Sequence, residues 1–195
     1  MDMPEPTTDL ALMRRVRDGD EAAFAALHER YQRKVLNFFY GVSRDAVLSN
    51  DLCQETFLRV WKIRKRYKAT GSFAAYLFGI ARMVWLERQR QWWKQAKWGI
   101  RHPLEECQVS AQTESPGLSA ERNELDGVLQ SALAELPEEQ RMVFVMRTIK
   151  GLSLEDISAA LDCPLNTVRS RKILAVKKLR HALESLFACP ADRAV

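Results

Sequence analysis

Apolar residues recur three and four positions apart along most of this chain, and nowhere do they alternate as in a strand. The longest stripe is Phe24, Leu27, Tyr31, Val35, Phe38 and Val42, which predicts an amphipathic helix capped by Asp20. A short helix over 10–17 precedes it, capped by Thr8 or Asp9 and ended at Asp18-Gly19. A loop is expected at 41–50. The next stretch, DLCQETFLRVWKIRKRY from Asp51, carries two apolar-bearing stripes: Leu52, Thr56, Arg59 and Ile63 on one, Cys53, Phe57, Val60 and Trp61 on the other. Asp51, Gln54, Glu55 and Leu58 are left for a third, mostly polar face. Such a helix packs inward and has surface left for a partner, with packing alone as the competing reading. Phe73, Tyr76, Leu77, Ile80 and Val84 continue the helical spacing.

The end of the chain is a second periodic block. Leu125, Val128, Leu129, Ala132 and Leu133 predict a helix ending at Leu136-Pro137, and Pro137 suits the first turn of a further helix over 138–148. Lys150-Gly151 closes that helix. Ser153 and Asp156 form a capping box in front of Leu154, Ile157 and Leu161. Asp162-Cys163-Pro164 stops the run, and a new helix starts near Leu165 with Val168, Ala175 and Leu179 on one side. Two short helices across a tight turn predict a helix-turn-helix. The fold class is therefore all-α.

Charge divides this fold. The 195 residues carry a net charge of only +5, but it is unevenly spread. Between Leu165 and Arg180 lie Arg169, Arg171, Lys172, Lys177, Lys178 and Arg180 with no acid, a helix suited to a polyanion. From Lys62 to Arg101 the basic residues stand against a single acid, Glu87, and are interleaved with Tyr76, Phe78, Trp85, Trp92, Trp93 and Trp98. Basic residues track a phosphate backbone and aromatic faces stack on unpaired bases, so this is a single-strand-binding pattern. Helical spacing assigns Phe73, Tyr76, Leu77, Ile80 and Val84 to a core, but leaves Trp85, Trp92 and Trp93 unexplained. From His102 to Asp126 the sign inverts, with Glu105, Glu106, Glu114, Glu121, Glu124 and Asp126 against Arg122. The polar, aperiodic VSAQTESPGLS within it predicts a flexible linker. The expected organisation is two small helical domains, 1–98 and 125–188, joined by a flexible acidic linker at 99–124, the second a helix-turn-helix domain.

Candidate enzyme chemistry is absent. Cys53, Cys107, Cys163 and Cys189 lack C-x-x-C spacing and read as free thiols, and His28, His102 and His181 make no metal signature. No P-loop, dinucleotide fingerprint or nucleophile elbow occurs, so no catalytic residue, metal, cofactor or small-molecule substrate is expected. No long apolar run or signal peptide is present, which predicts a cytoplasmic protein.

At this point the residues resemble a family, the extracytoplasmic-function sigma factors of bacterial RNA polymerase. DLCQETFLRVWK (51–62) is similar to the family's clamp-binding helix, SFAAYLFGIAR (72–82) to its start-proximal promoter segment, and 132–171 to its upstream-element-reading domain. The resemblance implies a non-catalytic specificity subunit that binds the polymerase core at its clamp and flap, recognises promoter DNA, and is held inactive by an anti-sigma factor, often membrane-associated. It implies core binding by Asp51, Gln54, Glu55, Phe57, Leu58 and Trp61. Start-proximal DNA would fall to Lys62, Arg66, Tyr76, Arg82, Met83, Trp85, Arg88 and Arg90. The upstream element would fall to Asn166, Thr167, Arg169, Ser170, Arg171, Lys172, Ile173, Leu174, Lys177 and Lys178. Within that last set Arg169, Ser170, Ile173 and Leu174 match the base-facing positions, and Arg171, Lys177 and Lys178 are expected on phosphate. The chain departs from the pattern at Met83, where Asn is common, at Asn166, where Gly is common, and at Lys172, Leu174 and Val176. Two rival readings are an operator-binding regulator, which would need a sensory domain, and a protein-interaction adaptor, which leaves both basic segments unexplained.

Overall fold

A computed structural model of the protein describes residues 8–68, 71–97, 127–129, 131–148 and 152–187. Every regular element among them is helical. The first body holds α1 (Asp9–Arg17), α2 (Glu21–Ser43), α3 (Ala46–Lys62), a 3₁₀ turn (Arg64–Arg66) and α4 (Phe73–Lys97). The second holds helical residues at 127–129 and 131–134, then α5 (Glu138–Thr148), α6 (Leu154–Leu161) and α7 (Leu165–Phe187). The expected linker at 99–124 and the Lys150-Gly151 stop lie outside the described residues. No described helix is long and apolar enough to cross a membrane.

Side-chain caps set the helix starts. The Thr8 hydroxyl accepts from the Ala11 N–H at 3.3 Å and Asp20 Oδ1 from Ala23 N–H at 2.9 Å, filling donors that the first turn leaves orphaned. The loop expected at 41–50 is corrected to a two-residue break at Arg44 and Asp45. Arg44 turns the chain by adopting a left-handed conformation, φ 63°, and Asp45 Oδ1 immediately caps α3 through Leu48 N–H at 2.9 Å. The Ser43 and Ser49 hydroxyls, buried 3.1 Å apart, fill the corner that a longer loop would have left open.

One apolar core runs through both bodies. The α2 stripe packs Leu27, Val35 and Phe38 against Leu52, Phe57 and Val60 of α3 and against Leu77, Phe78 and Trp85 of α4. The same cluster continues into Met142, Val143, Val145 and Met146 of α5 and into Ile157, Ala160 and Leu161 of α6. A smaller cluster, Ala132, Leu133, Leu136, Ala175 and Leu179, ties the segment before α5 to α7. Val143 and Met146 of α5 enter the first cluster, while Phe144 is half-buried against the second.

The capping box forms as the spacing requires. Ser153 Oγ accepts from Asp156 N–H at 2.9 Å, and Asp156 Oδ2 accepts from Ser153 N–H at 3.0 Å. Burial by itself raises the Asp156 carboxyl, but hydrogen bonds from Ser72 and Ser153 outweigh it and hold the group below the usual carboxylate range. A carboxyl depressed in the folded state adds stability above its unfolded pKa, and that stability is lost as pH falls through the folded value. Ser153→Ala should cost about 1 kcal/mol in urea unfolding at pH 7. The cost should shrink in acid, as pH falls through the lowered folded-state pKa of Asp156 and the carboxyl takes up a proton. An equal cost at pH 7 and pH 3 would contradict the box.

Candidate functional site

Three surfaces gather the residues singled out by the sequence. The first is a cleft of about 460 Å³ between α2 and α3, lined by Glu21, Phe24, His28, Gln54, Phe57, Leu58 and Trp61. It exists because α3 sends Leu52, Cys53, Thr56 and Val60 into the core, leaving Leu58 on the outside at 52% exposure. The Phe24 and Trp61 rings lie 5.1 Å apart, and the His28 ring is tilted against Phe57 with centroids 4.5 Å apart. Arg64 covers Trp61 with its guanidinium 4.1 Å from the ring centroid. Phe57 differs from its expected role, since its side chain is 97% buried and only forms the floor of the cleft. Glu21, Phe24 and His28 were missed because α2 looked purely structural, and only the α2–α3 packing turns them toward Leu58.

Glu55, expected on the polymerase-binding face, is half-buried in an ion pair within α3. Its carboxylate accepts from Arg59 Nε at 2.6 Å, and the other arm of Arg59 reaches Glu87 of α4 at 2.7 Å. Glu87's hydrogen bond, opposed by partial burial and backed by Glu55, pushes the Arg59 guanidinium further up, while Arg59 holds Glu87 below the usual carboxylate range. Arg59 therefore fastens the cleft helix to α4. Asp51 and Gln54 remain exposed.

The second surface is α4. Met83 and Arg90 are exposed and Arg82 and Arg88 half-buried, while Lys62 and Arg66 flank the helix in solvent. Tyr76 is half-buried against Tyr67 with ring centroids 4.8 Å apart, and burial raises its phenol. The expectation that Trp85, Trp92 and Trp93 stand outside the core is corrected for two of them. Trp85 is 1% exposed, its indole N–H donates to Glu138 Oε1 at 2.6 Å, and Trp92 packs edge-on against it at 5.8 Å. Glu138 reaches the indole from the N-terminus of α5, a contact between elements distant in sequence that no local pattern announces. Trp93 alone of the three is open, at 75% exposure.

The third surface is α7. Val168, Ala175 and Leu179 are buried, so Asn166, Arg169, Ser170, Ile173, Leu174 and Lys177 share the outer face. Ile173 is 65% exposed and Leu174 45%. The turn is held by Ser158 Oγ, which donates to the Cys163 carbonyl at 2.6 Å. Thr167 and Lys172 are half-buried at the edges, and Lys178 is exposed. Arg171, expected on phosphate, pairs in the free chain with Glu139 of α5 and lies 3.6 Å from Cys163 Sγ.

Burial pushes the Cys53 thiol up to about 11. Only a thiolate attacks iodoacetamide, so at pH 8 about one Cys53 in a thousand is reactive even when reached. Peptide mass spectrometry of the folded protein should find Cys163, which is half-exposed, labelled well before Cys53. Equal labelling of both would contradict this burial.

A helix-turn-helix with a basic outer face, packed on a helical body bearing a second basic and aromatic surface, defines a bipartite DNA-binding transcription protein. Two family patterns match the chain, Sigma-70 region 2 over residues 27–95 and Sigma-70, region 4 over residues 126–179. The chain belongs to the extracytoplasmic-function (ECF) RNA polymerase sigma factors, which bind core polymerase and direct it to specific promoters. It is 31% identical over 201 residues to the ECF RNA polymerase sigma-E factor of Escherichia coli K12, covering 95% of this chain and 99% of that protein. The RNA polymerase sigma-H factor of Pseudomonas aeruginosa is 29% identical over 192 residues, 92% of this chain and 95% of that one. Among solved structures, CnrH in complex with the cytosolic domain of CnrY matches with a TM-score of 0.68 at 24% identity, over 91% of this chain and 97% of that one. The sigma factor RpoE, in complex with the anti-sigma factor NepR from Bartonella quintana, gives 0.65 at 20%, over 83% and 96%. These two likenesses concern the fold.

Proposed function

We propose that this sigma factor works as a non-catalytic specificity subunit in the cytoplasm, with its tasks divided among the three surfaces. The body within 1–98 holds core polymerase through the α2–α3 cleft, where Leu58 and Trp61 supply apolar contact and Asp51 and Gln54 the polar rim. The same body meets start-proximal DNA with α4 and its basic flank. The body within 125–188 reads the upstream element with the outer face of α7. An anti-sigma factor competes for the cleft, because a helix laid on Leu58 excludes the polymerase. The apolar face of α5 is occupied by α2, since Val145 sits directly on Gly41.

The observation that carries this reading is the outer face of α7. A helix-turn-helix helix whose solvent side presents Arg169, Ser170 and Ile173 beside Lys177 and Lys178 combines base-edge and phosphate chemistry. Transcription with core polymerase on fragmented genomic DNA should give start sites that core alone does not use. Absence of any new start site would overturn the proposal. At such a promoter Ser170→Ala should cost about 1 kcal/mol at one upstream position, whereas Lys178→Ala should weaken every sequence alike. Identical, sequence-independent losses from both would refute the division between reading and holding.

A further inference from the structure

The outer face of α7 has an apolar centre. A helix advances about 100° per residue, so Ile173 stands opposite the buried Val168, Ala175 and Leu179, in the middle of the solvent side. Leu174 and Val176 are exposed on its two flanks. Single apolar residues are ordinary on a protein surface. Three adjoining ones are not explained by folding, because none belongs to either apolar cluster. Isoleucine is also a poorer helix former than the lysine, arginine or alanine that would suit an exposed position. Arg169 does not cover it: the guanidinium donates to Asn166 Oδ1 at 3.3 Å, back toward the start of the helix.

Charge and shape decide what covers this centre. Every charge on α7 from Leu165 to Arg180 is positive, which suits a polyanion. Among the base edges that duplex DNA shows in its major groove, the thymine C5-methyl is the apolar group. A donor or acceptor edge in its place would lose water to an isoleucine that returns no hydrogen bond. We propose that Ile173, flanked by Leu174, packs on the C5-methyl of a thymine in the upstream element, so that one T·A pair of this chain's promoters is chosen by apolar contact. This rests on α7 being the helix that enters the groove.

The contact has a place and a size. Arg169 precedes Ile173 by one turn, about 6 Å along the axis, and successive base pairs rise about 3.4 Å. The thymine therefore lies within about two base pairs of the base that Arg169 meets. Removing one buried methyl group changes affinity about fourfold. Lys178, exposed at the edge of the same helix, acts through charge, so its contribution is the same with or without the methyl.

The test uses holoenzyme, the full-length chain with core polymerase, and duplex promoters whose upstream element has been selected from a randomised library. Each thymine of the selected element is replaced singly by deoxyuridine, which lacks only the methyl. At one position the replacement should weaken holoenzyme binding about fourfold. Ile173→Ala should weaken binding to the thymine promoter by a similar factor and should no longer distinguish thymine from deoxyuridine there. Lys178→Ala should weaken binding and keep the full discrimination. Alanine favours the helix, so Ile173→Ala retains the fold, which circular dichroism checks. A selected element with no methyl-sensitive thymine, or an Ile173→Ala holoenzyme as methyl-sensitive as the parent, would overturn the contact. So would a loss of core-polymerase affinity in Ile173→Ala without DNA, which would assign the apolar centre to a protein partner. A library that yields no preferred upstream sequence refutes the α7 reading itself, whereas a preferred sequence without methyl dependence refutes this inference alone.

Discussion

Phe38→Ala is expected to remove about 3–5 kcal/mol of stability. Phe38 is fully buried in α2, tilted against Phe39 at 5.2 Å and edge-on to Phe78 of α4 at 5.8 Å. Truncation deletes the ring's transfer free energy and leaves a cavity bounded by helices that cannot collapse together. Lost edge-to-face contact adds about 0.5–1.5 kcal/mol within that range. Because the core continues from α4 into α5 and α6, the cavity weakens both bodies at once. Urea unfolding should show a lower midpoint with the slope unchanged. A loss under about 1 kcal/mol would mean that the site relaxes in a way this packing does not permit.

Leu58→Asp should leave the fold intact and reduce affinity for core polymerase about 100-fold or more, roughly 3 kcal/mol. Leu58 is half in solvent, so the substitution costs the free protein little. In a closed complex the same position would bury an unpaired carboxylate beside Phe24, Phe57 and Trp61. Asp51→Ala, at the polar rim, should cost less because rim charges keep their water. Titration against immobilised core enzyme, with thermal unfolding as the control, separates binding from folding. Near-parental affinity for Leu58→Asp would remove the cleft from the polymerase-binding surface.

Asp20, Ser153 and Asp156 belong to what the sequence determines by itself. Helix periodicity, caps and turn residues act over three or four positions, so α5, the capping box and the helix-turn-helix are legible from spacing alone. The same holds for the outer face of α7, because Val168, Ala175 and Leu179 fix which side is buried and thereby expose Arg169, Ser170 and Ile173. Arg44 shows where local reading stops. A left-handed arginine closes α2, and the serine pair behind it is buried by neighbours distant in sequence, so a ten-residue loop was expected where two residues suffice. Trp85, Glu55 and Arg171 mark the same limit for the site. Each has the composition of a binding residue, and each is claimed by a partner on another element or turn: Glu138, Arg59 and Glu139. Spacing records which residues share a face, whereas burial and ion pairing depend on which face a second helix covers. That choice is made by shape and charge across the fold, and here it also decides that the two bodies share one core.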